Sequence, residues 1–193
     1  MTPPTPAMPA VLPWIYPLDD FYAREGLPLP TIELIQAGDI PEPYRLLLVH
    51  ANDMTPTLQA FHRSMIHLEI LRSDQRGDYY FREVMLRLDR DDAPAEFGAN
   101  KISIWLFAPT ARRLILEERL PLGQILKQCD VPHTTAAKAF LRVECDSFIS
   151  RAIGLTGRQT LYGRRATIWD PQRRPLSEIV EILPPLPGPE PRP

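Results

Sequence analysis

The sequence predicts an α+β domain with an antiparallel sheet and helices on one side. Three observations predict it: several segments alternate with period two, short polar turns join them, and no strand-helix-strand rhythm of a parallel sheet occurs. Ile32 to Ile35 is a short, mostly apolar segment interrupted by Glu33. Pro41 to Leu48 leads through an apolar stretch to Asp53-Met54-Thr55, which reads as a helix entry. Thr55 is placed to cap the following turn with Pro56 at its first position, so a helix is expected over residues 56–63. From Met65 to Arg72, Ile66, Leu68 and Ile70 share one face and His67 and Glu69 the other, before a polar turn from Ser73 to Asp78.

The next strand, Tyr79 to Asp89, carries the sharpest clue. Its even positions are Tyr80, Arg82, Val84, Leu86 and Leu88, so a guanidinium shares a face with four apolar or aromatic side chains. The acidic, proline-containing stretch from Asp91 to Glu96 reads as a loop, and Asn100 to Ala108 as a further strand. Helices are expected from Pro109 to Glu118 and from Gln124 to Cys129, separated by the turn Leu120-Pro121-Leu122-Gly123. Residues 140–147 alternate as a strand, Ser150 to Gly157 reads as connecting structure, and Leu161 to Trp169 with Arg174 to Pro184 form a closing hairpin.

Proline concentrates at both ends of the chain. Residues 1–18 and 185–193 are therefore expected to be proline-rich tails flanking one domain over residues 19–184. At 193 residues the chain suits one substantial core. A net charge of −2 gives no general attraction to nucleic acid or anionic membrane, so any anion site is local. No apolar run approaches the ~20 residues that span a bilayer, and no signal-peptide pattern opens the chain. A cytoplasmic monomer with reduced Cys129 and Cys145 is expected.

The familiar catalytic frameworks are missing. His50, His62, His67 and His133 lack metal-ligand spacing, and no CxxC, GxGxxG, Walker loop or GxSxG occurs, so no metal or cofactor is expected. A buried guanidinium needs an internal partner or a ligand. For Arg82 an internal ion pair and a bound carboxylate are equal alternatives, the planar fork matching a carboxylate in two-pronged fashion. Arg164 and Arg165 point to opposite faces of their strand and read as solvated or salt-bridged. Lys101 heads its strand on the face of Ser103 and Trp105 and reads, on its own, as an edge-of-sheet surface lysine.

In order along residues 45–184, these segments resemble the chorismate pyruvate-lyase family. The features are Leu46-Leu47-Leu48 before Asp53-Met54-Thr55, the strand Tyr79-Tyr80-Phe81-Arg82-Glu83, the turn Pro121-Leu122-Gly123, Leu161-Tyr162-Gly163-Arg164-Arg165, and Glu181-Ile182-Leu183-Pro184. The resemblance implies a highly twisted sheet with helical flaps over a buried aromatic-acid pocket. It also implies cofactor-independent conversion of chorismate to 4-hydroxybenzoate and pyruvate, a precursor step for ubiquinone or aromatic secondary metabolites. On that basis Arg82 grips a carboxylate, backbone amides near Met54 and Leu122 add donors, and Glu181 meets the 4-hydroxyl, making Arg82 and Glu181 the catalytic pair. Lys101 lies near the family's second substrate-binding arginine. Simple alternation leaves Glu178 as the alternative to Glu181. Effector domains of some transcription regulators are similar in fold, so a non-catalytic aromatic-acid-binding module is the alternative function. A scaffold acting through the proline tails is a third.

Overall fold

In a computed structural model that describes residues 13–186, seven strands pair into one sheet. They are β1 (Thr31–Ile35), β2 (Ile66–Arg76), β3 (Tyr79–Leu88), β4 (Pro94–Ser103), β5 (Thr134–Glu144), β6 (Thr160–Trp169) and β7 (Pro175–Leu183). Their order across the sheet is β1-β5-β6-β7-β4-β3-β2, and every neighbouring pair is antiparallel. Six α-helices accompany them: α1 (Leu18–Arg24), α2 (Tyr44–Leu48), α3 (Met54–His62), α4 (Pro109–Leu116), α5 (Leu122–Gln128) and α6 (Ser147–Ile153).

The period-two patterns sort the sheet into two faces. On one, Phe81, Met85, Phe97, Ala99, Val180 and Ile182 pack against Leu18, Phe21 and Tyr22 of α1 and Ile149 and Ile153 of α6. Burying each large side chain of this set stabilises by roughly 1.5–3 kcal/mol relative to exposure. The other face carries two separate clusters. Tyr80, Ile102, Ile168 and Ile179 meet α4 and α5, while Leu86, Leu88 and Leu183 meet α2 and α3. The space between those two clusters holds the candidate site.

Several boundaries differ from the sequence-based expectation for local physical reasons. The expected turn from Ser73 to Asp78 is mostly strand: β2 continues to Arg76, and only Gly77 and Asp78 separate it from Tyr79. Gly77 has φ +56°, a conformation glycine adopts without steric cost. Residues 94–96 belong to β4 rather than a loop, and that strand ends at Ser103, giving way to a 3₁₀ turn over Ile104–Leu106. Helix α3 starts at Met54 behind Asp53, and Thr55 is inside it, not its cap. Residues 147–153 form α6, whose first amides are accepted by the Asp146 side chain. The expected N-terminal tail is too long, because Ile15 and Leu18 are buried in the core. Residues 1–12 and 187–193, which hold most of the expected proline tails, lie outside the described residues. Both cysteines are free, Cys145 buried and Cys129 partly so.

Candidate functional site

The sheet register assembles the floor of a cavity from three strands. Arg82 of β3 lies opposite Asn100 of β4, which lies opposite Ile179 of β7. One rung further, Val84 is opposite Gly98 and Gly98 opposite Glu181; beyond that, Leu86 is opposite Glu96. Alternation turns all of these to one face, and all but Gly98 line the cavity. Its roof comes from the entries to α3 and α5, with Asp53, Met54 and Thr55 facing Pro121, Leu122 and Gly123. A Cβ at Gly123 would stand 3.2 Å from Thr55 Oγ1, so the two flaps touch where side-chain volume is smallest. The free space enclosed is about 40 Å³. That is well below the roughly 150 Å³ of a cavity that holds benzene, so a ring-sized ligand enters only as the flaps yield.

Arg82 is 1% exposed, and its Nε and Nη1 are buried without a hydrogen-bond partner. Burial pulls its pKa down to about 10, against the opposing influence of Tyr80 and Glu118, which leaves it cationic at neutral pH. The Tyr80 hydroxyl donates to Glu118, and burial and that bond raise the Tyr80 pKa. Glu181 is held differently. Its Oε2 accepts from Arg164 Nε at 2.5 Å, and Arg164 is itself fully buried. Arg164 also donates to the carbonyls of Leu48, His50 and Asn52, tying the chain ahead of α3 to the sheet. Glu96 is buried with Oε2 unpartnered, and desolvation together with nearby Glu181 raises its pKa well above the usual carboxylate range. Both influences favour the neutral form of the carboxyl.

The α3 entry has a feature that alternation does not announce. Asp53 precedes the helix, yet its carboxylate makes no cap bond; it accepts from Thr135 Oγ1 at 2.6 Å and meets His133 Nε2 at 2.9 Å. This latch fixes the flap to β5 and leaves the first-turn amides of α3 without a side-chain acceptor.

Among the sequence-predicted residues, Met54, Arg82, Leu122 and Glu181 meet in this one cavity. The alternation ambiguity resolves to Glu181, since the β4–β7 register runs without a shift from Phe97/Ile182 to Ile102/Ser177. Glu178 lies on the opposite face, bonded to Arg165 Nη2 at 2.6 Å and Lys101 Nζ at 3.2 Å. Lys101 is a correction: one residue along β4 from Asn100, it points away from the cavity and is not among its lining residues. Sequence reasoning missed Glu96, Asn100 and the Arg164 partner of Glu181. The pattern Glu96, Gly98, Asn100 and Ile102 was present, but its polar and glycine positions carry no hydrophobic alternation. Among the described residues, no group of three or more His, Cys, Asp or Glu could hold a metal ion, and no helix is long and apolar enough to cross a membrane.

The architecture has counterparts among solved structures. PhnF from Mycobacterium smegmatis superposes with TM-score 0.55 at 10% identity, covering 70% of this chain and 64% of that one. Its effector domain alone gives 0.52 at 9% identity, covering 68% of this chain and 87% of that domain. The chain shares the fold of that effector domain. A gene product of Staphylococcus aureus subsp. aureus N315 gives 0.50 at 7% identity, covering 62% and 82% of the two chains. At these identities the likeness shows the fold alone: α+β, chorismate-lyase-like, with the helical flaps α3 and α5 over the antiparallel sheet. The sequence matches no protein-family model and no curated protein.

Proposed function

We propose that the protein binds a small aromatic carboxylate in this cavity, as a ligand-binding module of the chorismate-lyase-like fold. The observation that carries this reading is the Arg82 guanidinium, fully buried among apolar walls with two nitrogens lacking acceptors. A carboxylate engages one edge of such a guanidinium in a planar, two-pronged contact. The uncapped amides at the start of α3 add donors on the flap side.

Calorimetry with benzoate and 4-hydroxybenzoate tests the reading. The wild type is expected to bind one equivalent, and Arg82→Met to lose at least 100-fold in affinity while remaining folded. Equal binding by the two proteins, or none by the wild type, overturns it.

A second reading is favoured by the ordered motifs and by the meeting of Met54, Arg82, Leu122 and Glu181. It is elimination of pyruvate from chorismate. The C–O bond to the enolpyruvyl group breaks as a ring proton leaves, and enolpyruvate takes up a proton to become pyruvate. Arg82 would hold the ring carboxylate and Glu181 would stand near the forming phenol. The difficulty is the second carboxylate of chorismate, because Lys101 lies on the far face and Glu96 and Glu181 line the cavity instead. Pyruvate released from chorismate by the wild type and not by Arg82→Met would establish the lyase. The binding-module reading predicts no release.

A further inference from the structure

We propose that Glu96 is a specificity-determining residue, and that with Glu181 it makes the cavity select ring carboxylates bearing two adjacent hydroxyl groups. The proposal rests on the Arg82 reading above and names the chemistry at the other end of the ligand.

The geometry begins with Gly98. It is opposite Glu181 in the sheet, and a Cβ at this position would stand 3.1 Å from Glu96 Oε1 and 3.6 Å from Asn100 Nδ2. The Glu96 carboxyl thus folds back over the glycine, onto the rung that Glu181 occupies. Two carboxyl groups from neighbouring strands converge there, and glycine leaves them room. Their hydrogen-bonding states differ. Glu181 is committed through Oε2 to Arg164, whereas Glu96 Oε2 is buried without any partner.

Arg82 belongs to a different electrostatic neighbourhood. The charges that act on it are those of Tyr80 and Glu118, while those that act on Glu96 are Glu181 and Arg164. Along the strands, the Arg82 and Glu96 positions are two rungs apart, roughly 13 Å between backbones. Glu96 Oε1 folds back over Gly98, one of those rungs nearer to Arg82, which leaves roughly 7 Å along the strands, about the span from a ring carboxylate to its far hydroxyl. A carboxylate at the Arg82 end therefore places the opposite edge of the ring at the two carboxyl groups. Glu181, held by Arg164, accepts from one hydroxyl. The Glu96 carboxyl, whose Oε2 has no partner within the protein, meets the adjacent one. A single hydroxyl satisfies only one of the two, leaving Glu96 Oε2 without a partner.

Binding of 3,4-dihydroxybenzoate, 4-hydroxybenzoate and benzoate to wild type, Glu96→Leu and Glu96→Gln provides the test. In the wild type the dihydroxy acid is expected to bind at least 10-fold tighter than the monohydroxy acid. Glu96→Leu should abolish that preference, and Glu96→Gln, which keeps a donor and an acceptor, should retain most of it. Gly98→Ala, which crowds the Glu96 carboxyl, should erode the preference independently. Equal affinity for the two hydroxy acids in wild type, or a preference that survives Glu96→Leu, overturns the proposal while benzoate binding leaves the Arg82 reading intact. Failure of all three acids to bind wild type overturns both.

Discussion

Arg82 and Glu83 are neighbours in β3, both are buried, and both have polar side-chain atoms without hydrogen bonds, yet the two faces of the sheet treat them differently. Glu83 points to the α1 and α6 side. There Arg72 Nε lies 3.5 Å from its carboxylate and the Arg72 guanidinium sits over the Phe148 ring, so the chain itself supplies the counter-charge within a packed core. Arg82 points to the flap side, where the carboxylate that acts on it, Glu118, is engaged by Tyr80 and a cavity takes the place of packing. The difference separates two uses of buried charge. One has a counter-charge within the chain; the other has no such partner and is the group proposed to meet a ligand.

The largest effect expected is on the cavity face but concerns structure. Arg164→Met strands Glu181 in the interior and releases three carbonyls before α3, so stability should fall by about 3–5 kcal/mol in denaturant unfolding. A loss below about 1 kcal/mol would show that the Arg164 pair does not anchor the flap.

The Glu83 face should reveal itself through pH. Burial raises the Glu83 pKa from 4.5 to about 7, outweighing the influence of Arg72. The folded state thus holds more protons than the unfolded state between those values. Stability should fall as pH rises from 4.5 towards 7, by roughly 3 kcal/mol from this group, and change little from it above 7. Glu96 acts in the same direction, so the clean measurement is the difference between wild type and Glu83→Gln, whose slope should be flatter. Parallel pH profiles would contradict the comparison.

Lys101→Ala is the smallest effect expected. Glu178 keeps Arg165, both partners of Lys101's ion pair are partly solvated, and the loss should stay below about 1 kcal/mol with ligand affinity unchanged. A tenfold loss of affinity would move Lys101 into the site.

Much of the fold was legible because strands β2, β3, β6 and β7 alternate cleanly, and Arg82 was conspicuous as a charge on an apolar face. Strand β4 was harder to read. Pro94 and Glu96 resemble a loop, and the face that matters presents glutamate, glycine and asparagine, residues chosen for the cavity rather than for a core. Lys101 was misplaced for a related reason: proximity in sequence to a family position says nothing of side-chain direction, which one residue of register reverses. The Arg164–Glu181 pair was not visible because it joins residues of adjacent strands whose register no local pattern specifies.

The central claim is that Arg82 is held without internal hydrogen bonds for a carboxylate. Thermal unfolding of wild type and Arg82→Met, each with and without 4-hydroxybenzoate at about 100 times its wild-type Kd, tests it most directly. Ligand should stabilise wild type by about 2.7 kcal/mol, a rise in Tm of roughly 5–10 °C. Arg82→Met should start at an equal or higher Tm, having lost a desolvated charge, and should not respond. A variant that is strongly destabilised without ligand, or that gains as much from the ligand as wild type does, would contradict the account.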